Sequence, residues 1–509
     1  MRGLVINLGL KSVRAILFDE RAQKVAVASR PVQTFLRDSW MEQDPEEWWD
    51  KTVVTVREVL ETLERREVSF ITVTTSAACL VPVSGTGVAL RRAIMVGDRR
   101  AVAEAQSLAK LPSFASATVI NSSFVADAYF MMPKAIWLLR HEPQVCHEAR
   151  WLMAPGDLLN LRLTGVAVTD PLNAEKFFYD ATHECYPTAL LDEAGLTAEK
   201  LAPVAALGER IGSLTREAAS VLGLSSQTPV ILSTYDALCA FWGSGVCREG
   251  DVADVSGTVT SVRVLSKRPL EAKERRIFSQ TLPGSGYHVI GGSNNLGGGL
   301  IEWLKQSFYG HDDRPYELME SEAEQSGPCA RGIVFLPYLL GERCPIWDPD
   351  ARGVLFGLER QHRRGDFARA VLESAAFSLE HILQTVREHH IRPERLRVSG
   401  GLARLRLMGL IKADVTGLPT EVLEEFETAS LGAFLIAGTG VGLFRNLVDA
   451  SGLVSVREVI LPNRERHQVY QDWLGLYLRL YERSRALFAE RHDLFEKHGL
   501  RGLERLENL

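Results

Sequence analysis

The spacing of apolar residues at the start of the chain predicts a β-hairpin, then a helix, then a strand. Apolar stretches at 4–6 and 13–18 flank a turn at 7–12, as in a pair of antiparallel strands. In the segment 45–67, apolar residues recur every three to four positions, which indicates an amphipathic helix. The segment 68–74 that follows is typical of a strand.

A similar order returns in the second half of the chain. A second hairpin is predicted at 252–264 around the turn Ser256-Gly257-Thr258. Alternating elements are then predicted as strands at 288–291, 396–399 and 420–423 and as helices at 298–308, 365–388, 402–415 and 428–437. This order indicates α/β layers and two related domains, 1–246 and 247–509. A charged helical tail is expected from Arg464 onward, packed through Tyr470, Trp473, Leu476, Leu480 and Leu487.

The composition of the 509 residues is that of an ordinary globular enzyme, with 46% apolar residues, 24% charged residues and a formal net charge of −6. These values exclude a largely disordered protein, and the lack of a long basic block argues against a nucleic-acid binder. Seven cysteines without a C-x-x-C pair or a neighbouring histidine cluster argue against a disulfide framework and a structural zinc site. They fit a reducing compartment.

No export signal and no membrane segment is predicted. Lys11 and Arg14 interrupt the N-terminal stretch before an apolar run of signal-peptide length forms. The most apolar segment, 433–444, is too short to cross a bilayer. We therefore expect a cytoplasmic protein, and whether it forms a homodimer is left open.

The turns of the two hairpins are candidate phosphate-binding loops. Backbone N–H groups in such turns bind anions, and a glycine lets the backbone approach a phosphate closely. Every hairpin needs turn residues, so one such turn is weak evidence, whereas two at the starts of similar domains are stronger evidence. The chain has no G-x-x-x-x-G-K-[ST] segment, which argues against a P-loop nucleoside triphosphatase. The glycine-rich segment 438–442 follows a helix and is predicted to be a helix end.

Asp236 is the candidate for the chemistry. It lies between an apolar run at 229–232, predicted as a buried strand, and a helix predicted from Ala237 onward. One interpretation is a helix N-cap. The other is a carboxylate at the carboxyl edge of a sheet, where open α/β sheets bind ligands and where it accepts a proton from a substrate hydroxyl.

With these features the chain resembles the FGGY carbohydrate kinases of the actin-like ATPase superfamily, in particular their xylulokinase-like branch. The similarity runs through nearly the whole chain as an ordered series of segments at 6–19 (INLGLKSVRAILFD), 40–49 (WMEQDPEEWW), 91–101 (RRAIMVGDRRA), 133–137 (PKAIW), 161–174, 335–349 (FLPYLLGERCPIWDP), 352–358, 369–374 and 398–403 (VSGGLA).

The resemblance implies two actin-like (ribonuclease H-like) domains around a cleft in which ATP and Mg²⁺ serve to phosphorylate a sugar or polyol, most closely a xylulose-like pentulose. The first domain would bind the sugar and the second the nucleotide, with Asp236 as the general base. The implied ATP-binding residues are Gly9, Lys11, Ser12, Arg14, Gly257, Thr258, Gly297, Gly298, Gly400 and Gly401. The implied substrate-binding residues are Ser76, Ala77, Ala78, Asp98 and Tyr235, and Asn7 and Asp236 would lie next to the metal.

The chain departs from the family pattern at two places. In the first loop, Asn7 replaces the family's aspartate, and Leu10 and Lys11 replace its two threonines. Asparagine keeps an acceptor oxygen but lacks the negative charge, so weaker metal binding is expected. In the sugar pocket, the sequence at 76–79 is S-A-A-C instead of Q-M-H-G, which favours a different substrate or a degraded site. The alternative is therefore a catalytically weak or silent homologue that binds sugar or nucleotide.

Overall fold

The computed structural model describes residues 1–63, 67–120, 125–257, 259–270, 276–282 and 284–499. Thr258, predicted in the second phosphate loop, lies outside the described residues, as do the last ten residues of the predicted tail.

The N-terminal half contains eleven strands and ten α-helices. The strands are β1 (Gly3–Leu8), β2 (Ser12–Phe18), β3 (Lys24–Pro31), β4 (Thr34–Arg37), β5 (Trp40–Gln43), β6 (Phe70–Thr75), β7 (Val81–Val83), β8 (Ala93–Ile94), β9 (Trp151–Met153), β10 (Arg210–Ser213) and β11 (Pro229–Ile231). The helices are α1 (Pro45–Glu61), α2 (Val102–Leu108), α3 (Pro112–Ile120), α4 (Met131–His141), α5 (Pro143–Glu148), α6 (Pro155–Thr164), α7 (Pro171–Ala174), α8 (Thr188–Glu193), α9 (Arg216–Leu222) and α10 (Asp236–Gly243). These counts refer to the described ranges.

The C-terminal half adds nine strands and seven α-helices within the same ranges. The strands are β12 (Asp251–Ser256), β13 (Thr260–Ser266), β14 (Phe278–Leu282), β15 (Tyr287–Asn294), β16 (Val334–Leu336), β17 (Val354–Phe356), β18 (Arg395–Gly400), β19 (Thr420–Leu423) and β20 (Val456–Ile460). The helices are α11 (Gly298–Phe308), α12 (Pro315–Ser326), α13 (Arg364–Glu388), α14 (Arg406–Thr416), α15 (Thr428–Gly440), α16 (Leu447–Ser451) and α17 (Arg464–His498).

The two large sheets share one strand order. In the first sheet the order is β3-β2-β1-β6-β11-β10, and in the second the order β15-β13-β12-β18-β19-β20 continues beyond β15 into β14. In each sheet the opening hairpin is antiparallel, the next two pairings are parallel, and the last pairing is antiparallel. Both predicted hairpins and the prediction of two related α/β units are therefore confirmed. The boundary at 246 stays a prediction.

Most predicted helices are found with small shifts. Helix α11 has the predicted bounds, α13 begins one residue early, and α1 ends at Glu61. Helix α14 begins at Arg406, because residues Gly401–Arg404 form a short 3-10 turn first. The glycine-rich segment is the last turn of α15 and the turn after it, in agreement with the predicted helix end.

The C-terminal helix packs through a different stripe from the one predicted. Tyr470 is buried as expected, but Leu487 is 61% exposed. The residues that α17 buries against the second sheet's helices are Tyr470, Leu474, Tyr477, Tyr481 and Phe488. The prediction therefore placed the buried face about one position off around the helix axis.

A shared core joins the two halves. Helix α10 packs against α15, and α15 also contacts β1 and β6. The ring of Phe434 on α15 stacks on Phe70 of β6 at 5.7 Å between centroids and lies 5.1 Å from Phe18 of β2. A Cβ on Gly432 of α15 would lie 1.7 Å from the Cys239 carbonyl oxygen on α10. Only glycine permits this close approach of the two helices.

Two further features concern the helices and the cysteines. Among the helices in the described ranges, none is both long and apolar enough to cross a membrane. All seven cysteines fall within the described part of the chain, and each is a free thiol.

Candidate active site

The parallel strands of the first sheet deliver three segments to one edge. Strands β1, β6 and β11 are parallel neighbours, so their carboxyl ends, at Leu8, Thr75 and Ile231, meet there. The Ser76 amide donates to the Leu8 carbonyl at 3.0 Å, and Thr74 Oγ1 donates to the Thr234 carbonyl at 2.9 Å. The first phosphate loop, the predicted sugar-binding residues 76–78 (the sugar wall) and the segment before Asp236 therefore form one continuous surface.

Asp236 is the first residue of α10 and is half-buried. The N-cap of the helix is Tyr235, whose backbone is extended, so of the two interpretations of Asp236 the one as a helix N-cap is wrong. Removal of the carboxyl from water raises the pKa of Asp236 to about 6, although a hydrogen bond with the Ala237 backbone and the charges of Arg263 and Arg14 oppose the rise. A carboxylate with a pKa near the working pH is suited to take a proton.

Arg263 is a functional candidate that the sequence reasoning missed. It lies on β13 in the C-terminal half, is 6% exposed, and donates through Nη1 only to neutral acceptors, the Ala237 carbonyl and Ser261 Oγ. Its Nε has no hydrogen-bond partner. The sequence signal that could have identified it is the position of an arginine inside the apolar segment 262–265 of β13. Its charge helps keep Asp236 ionised at neutral pH.

The first phosphate loop is a tight turn whose ends reach into the C-terminal half. The Gly9 amide donates to the Ser12 carbonyl at 3.0 Å, which leaves Leu10 and Lys11 exposed at the tip. Arg14, opposite Asn7 in the β1–β2 ladder, forms an ion pair with Glu427, another residue that the sequence analysis missed. The Nε atom of Arg14 has no hydrogen-bond partner.

The charge of Lys11 acts on a residue of the C-terminal half. Although burial works in the opposite direction, hydrogen bonds from Lys305 and Tyr316 together with the charges of Lys305 and Lys11 hold the pKa of Glu302 on α11 below its ordinary value. Helix α11 begins at Gly298, whose amide donates to the Gly257 carbonyl of the second loop, so the charge of Lys11 in the first loop acts on a helix that touches the second.

The glycines in and next to the second phosphate loop have two different roles. A Cβ on Gly297, Gly298 or Gly400 would come within 2.3 to 2.7 Å of protein atoms, so these glycines allow the loops to pack on one another. The Gly298 amide donates to the Gly257 carbonyl at 2.6 Å. A Cβ on Gly257 or Gly401 would meet only ordinary contacts, at 3.8 and 3.9 Å. These two glycines therefore leave open space above the loop, where a phosphate or nucleotide can approach.

A buried ion pair supports the second loop from below. Lys412 on α14 pairs with Asp254 on β12 and lies 3.3 Å from Ser256 Oγ. Ser256 Oγ donates to Asp254 Oδ1 at 2.9 Å, and the lysine and aspartate are 3% and 0% exposed. These bonds fix the end of β12, after which the loop begins.

The predicted sugar wall is small and is braced by a buried lysine. Ser76 and Ala78 are buried, Ala77 is half-buried, and Ala78 has a left-handed backbone with φ of 58°. Lys134 is a fully buried residue of α4. Its Nζ donates to the Ala78 carbonyl at 2.7 Å and to the Tyr129 carbonyl at 3.3 Å. Burial lowers the pKa of Lys134 to about 8. The wall therefore offers one hydroxyl, on Ser76, and little other polarity.

Two predicted substrate-binding residues have their polar atoms engaged within the protein. Asp98 has no exposed surface, and its carboxylate accepts hydrogen bonds from Arg100 and from the Met41 amide at 2.6 Å. The Tyr235 hydroxyl donates to Gln280 Oε1 at 2.8 Å. Their contact with a sugar stays a prediction, and the structure gives both a clear role in packing the site.

A polar link between the halves lies behind the base. Gln280 on β14 accepts from Tyr235 and donates through Nε2 to Glu175 Oε2 at 2.7 Å. Burial raises the pKa of Glu175 to about 7. Adjacent Lys176 lies over the Tyr235 ring, with Nζ 5.1 Å from its centroid. The charged pair within the apolar segment after α7 is the sequence signal for this link.

Glu342 and Arg343 are both held by Asn295. Glu342 Oε1 accepts the backbone amides of Asn295 and Arg343, and Arg343 Nε donates to Asn295 Oδ1. The short turn at 342–348 brings both residues to Asn295, which satisfies them separately.

The residues around Asn7 fit a metal that is bound through phosphate oxygens. Asn7 is 1% exposed, its Nδ2 donates to Ser430 Oγ at 2.8 Å, and its Oδ1 has no partner. An unpaired buried oxygen at the head of the first loop is a suitable acceptor for a water of a hydrated Mg²⁺. In the described ranges no group of three or more His, Cys, Asp or Glu side chains is arranged to hold a metal by itself, so ATP would have to supply most of the ligands.

Comparison with known proteins identifies the family. The N-terminal domain of the FGGY family of carbohydrate kinases matches residues 3–243, and the C-terminal domain of that family matches residues 252–441. A xylulose kinase from Staphylococcus epidermidis is 26% identical over 494 residues, which cover 96% of this chain and 98% of the relative. A glycerol kinase from Gloeobacter violaceus is 30% identical over 500 residues, which cover 95% and 96%.

A solved structure shows the same architecture. The xylulose kinase from Rhodospirillum rubrum superposes with a TM-score of 0.88 at 26% identity, over 96% of this chain and all of that chain (100%). With both family domains matched in order and the two-sheet fold shared, this chain belongs to the FGGY family of carbohydrate kinases.

Proposed function

We propose that this chain transfers the terminal phosphoryl group of ATP to a hydroxyl of a sugar or polyol, with a xylulose-like pentulose as the acceptor. The observation that carries the proposal is Asp236, a carboxylate whose pKa is about 6, at the edge where the first phosphate loop and the sugar wall meet. Relatives named xylulose kinase that match along almost the whole chain support a pentulose. We place the protein in the cytoplasm.

In this mechanism Asp236 is the general base. Above about pH 6 its carboxylate is ionised and accepts the proton of the attacking hydroxyl. A positioned base contributes about 10²–10⁴-fold to such a step. Arg263 and Arg14, whose charges act on Asp236, keep it ionised and provide positive potential where the phosphoryl charge is transferred.

The remaining residues position the reactants. Asn7 Oδ1 would hold Mg²⁺ through water, and the metal when bound neutralises charge on the phosphate oxygens. The open backbone at Gly257 and Gly401 would receive the nucleotide, and Lys11 and Ser12 would contact its phosphates. The Ser76–Ala78 wall would contact the sugar opposite Asp236. Positioning and charge neutralisation are the main contributions expected of a protein in phosphoryl transfer.

The proposal is tested by steady-state kinetics with ATP and Mg²⁺ on a panel of ketoses, polyols and aldonates. A pentulose is expected to give the highest kcat/KM, and Asp236→Asn is expected to lower kcat by about 10²-fold or more. The control is Asp192→Asn, at an exposed position of α8, which should leave turnover unchanged. Wild-type turnover in Asp236→Asn would show that the base is assigned wrongly.

The alternative, a silent homologue that binds sugar or nucleotide, is favoured by two contacts. Arg14 is engaged with Glu427, and the amide of Asn7 is engaged with Ser430, so the first loop is tied to the C-terminal half. Calorimetry separates the two functions. Nucleotide binding that does not depend on Mg²⁺, together with no turnover of any sugar on the panel, would establish the silent homologue.

A further inference from the structure

A small enclosed cavity lies behind the segment that carries Asp236. It is bounded by the ends of β6 and β11, by α6 and by the start of α7, and its polar lining consists mainly of Thr75, Asp157, Asn160, Asp170, Asn173 and Thr234. Its free space is about 10 Å³. That is about the room needed by one water molecule, so the cavity admits a single guest of that size.

Two amide oxygens in the lining lack a partner. Asn160 Oδ1 and Asn173 Oδ1 make no hydrogen bond, although the two side chains are only 3% and 5% exposed. The orientation of Asn173 is fixed, because its Nδ2 donates to Asp170 Oδ2 at 2.7 Å. A buried acceptor without a partner costs about 1–3 kcal/mol, so a guest that satisfies both oxygens is expected.

The cavity is also lined by two buried carboxyl groups that have no cationic partner within the described part of the chain. Asp157 and Asp170 are 5% and 1% exposed, and among the described residues neither forms an ion pair with a lysine, arginine or histidine. Burial and the negative charge of Asp170 raise the pKa of Asp157 to about 8, against the hydrogen bond from the Ala154 amide, and burial raises the pKa of Asp170. Buried carboxylates are normally paired with a cation or protonated.

The two carboxyl groups differ in how many hydrogen bonds they accept from the protein. Asp170 Oδ1 accepts the amides of Leu172 and Asn173, and its Oδ2 accepts Asn173 Nδ2. Asp157 Oδ2 accepts the Ala154 amide at 2.9 Å. The Asp157 carboxyl also interacts with the Thr169 hydroxyl. Its Oδ1 accepts none of the backbone amides named here, so it can face the guest together with neutral amide and hydroxyl oxygens.

We propose that this cavity binds one dehydrated alkali-metal cation, Na⁺ or K⁺, through Asp157 Oδ1 and the amide oxygens of Asn160 and Asn173, with the hydroxyls of Thr75 and Thr234 completing the ligands. An all-oxygen set suits a hard cation. Protein oxygens can replace the hydration shell of K⁺. Mg²⁺ is excluded because it keeps several waters, for which there is no room, and one carboxylate among neutral amide and hydroxyl ligands suits a single positive charge.

The cation would fix the connection that presents the base. Thr234 lies two residues before Asp236, its carbonyl accepts Thr74 Oγ1 at 2.9 Å, and the neighbouring Ser233 Oγ donates to the Val73 carbonyl at 2.7 Å. A cation bound by Asp157 and Thr234 ties α6 to this connection. The cavity lies behind the surface that carries Asp236, and this proposal does not rest on the proposed function.

The first test is thermal unfolding of the full-length protein without nucleotide, in KCl, NaCl or choline chloride at one ionic strength. The midpoint is expected to rise by on the order of 2 °C in K⁺ or Na⁺ over choline, and to saturate with concentration. Asp157→Asn, which keeps an acceptor for the Ala154 amide, and Asn160→Leu should each abolish the shift. Asp192→Asn, on the surface, should retain it.

The second test locates the ion directly and does not depend on whether the variants fold. Crystals of the wild-type protein soaked in Tl⁺ or Rb⁺ are expected to show an anomalous peak in the cavity, at ligand distances to Asp157, Asn160 and Asn173. Equal midpoints in choline and in both alkali salts, or a water in the cavity with no anomalous peak, would overturn the proposal. So would stabilisation by Ca²⁺ alone.

Discussion

Replacing Asp236 with asparagine should stabilise the fold while it lowers kcat by about 10²-fold or more. The pKa of this carboxyl rises from the model-peptide value of 3.8 to about 6, so the ionised form is disfavoured in the folded protein relative to the unfolded chain. The rise is roughly two pKa units, which at 1.36 kcal/mol per unit amounts to about 3 kcal/mol. Asparagine resembles the protonated acid in shape and charge, and the variant is therefore relieved of this cost.

The sign of the pH dependence follows from proton linkage. Between about pH 4 and pH 6 the folded protein holds a proton on Asp236 that the unfolded chain has lost, so wild-type stability falls as the pH rises through this range. The advantage of Asp236→Asn should thus be near zero at pH 4 and reach its full value above about pH 7. Arg263 and Arg14 lose a favourable partner in the variant, but their effect is already included in the pKa of about 6.

The measurement is the unfolding of wild type and variant by urea and by heat from pH 4 to pH 8, with Asp192→Asn as the surface control. A difference that grows with pH for Asp236→Asn and stays flat for the control is expected. If Asp236→Asn is less stable than wild type at pH 8, the carboxylate makes a favourable contact that outweighs its burial. The reasoning about the base would then be refuted, whatever the turnover.

Three further outcomes are expected. The kcat/KM of the wild type should fall tenfold per unit below about pH 6, as Asp236 is protonated, which a pH–rate profile measures. Asn7→Asp should lower the Mg²⁺ concentration needed for half-maximal rate, since a charge is added at the unpaired Oδ1, and an unchanged Mg²⁺ titration would place the metal elsewhere. Gly432→Ala should unfold the protein or lower its melting temperature strongly, because the new Cβ would overlap the Cys239 carbonyl, whereas Gly257→Ala, with open space, should keep stability and weaken ATP binding in calorimetry.

The hairpins and the position of Asp236 between a strand and a helix were predictable because their signals are local. Apolar alternation and the turn residues define each hairpin within about fifteen positions, and the strand before Asp236 is a short apolar run. The contacts that complete the site are long-range. The bond from Asn7 to Ser430 and the pair of Arg14 with Glu427 join residues from opposite ends of the chain, which no local pattern contains.

The C-terminal helix shows a second limit of pattern reasoning. Its sequence carries aromatic or apolar residues on more than one face, so two stripes fit the helical period equally well. The buried stripe is the one whose tyrosines find partners, since the Tyr477 hydroxyl lies 2.8 Å from that of Tyr338 and 3.1 Å from Ser378 Oγ. Hydrogen bonding inside the core, which hydrophobicity does not report, decides between the two.

The packing of α15 on β1, β6 and α10 makes the halves inseparable as folding units. A fragment cut between the two sheets would expose Phe18 and Phe70 to water and would leave the glycine-lined groove of α10 without its counterpart. Such a fragment should aggregate, and the intact chain should melt in one step. The helix α10 that this seam supports begins with Asp236, the proposed base, so separating the halves would also displace the residue on which the proposed chemistry depends.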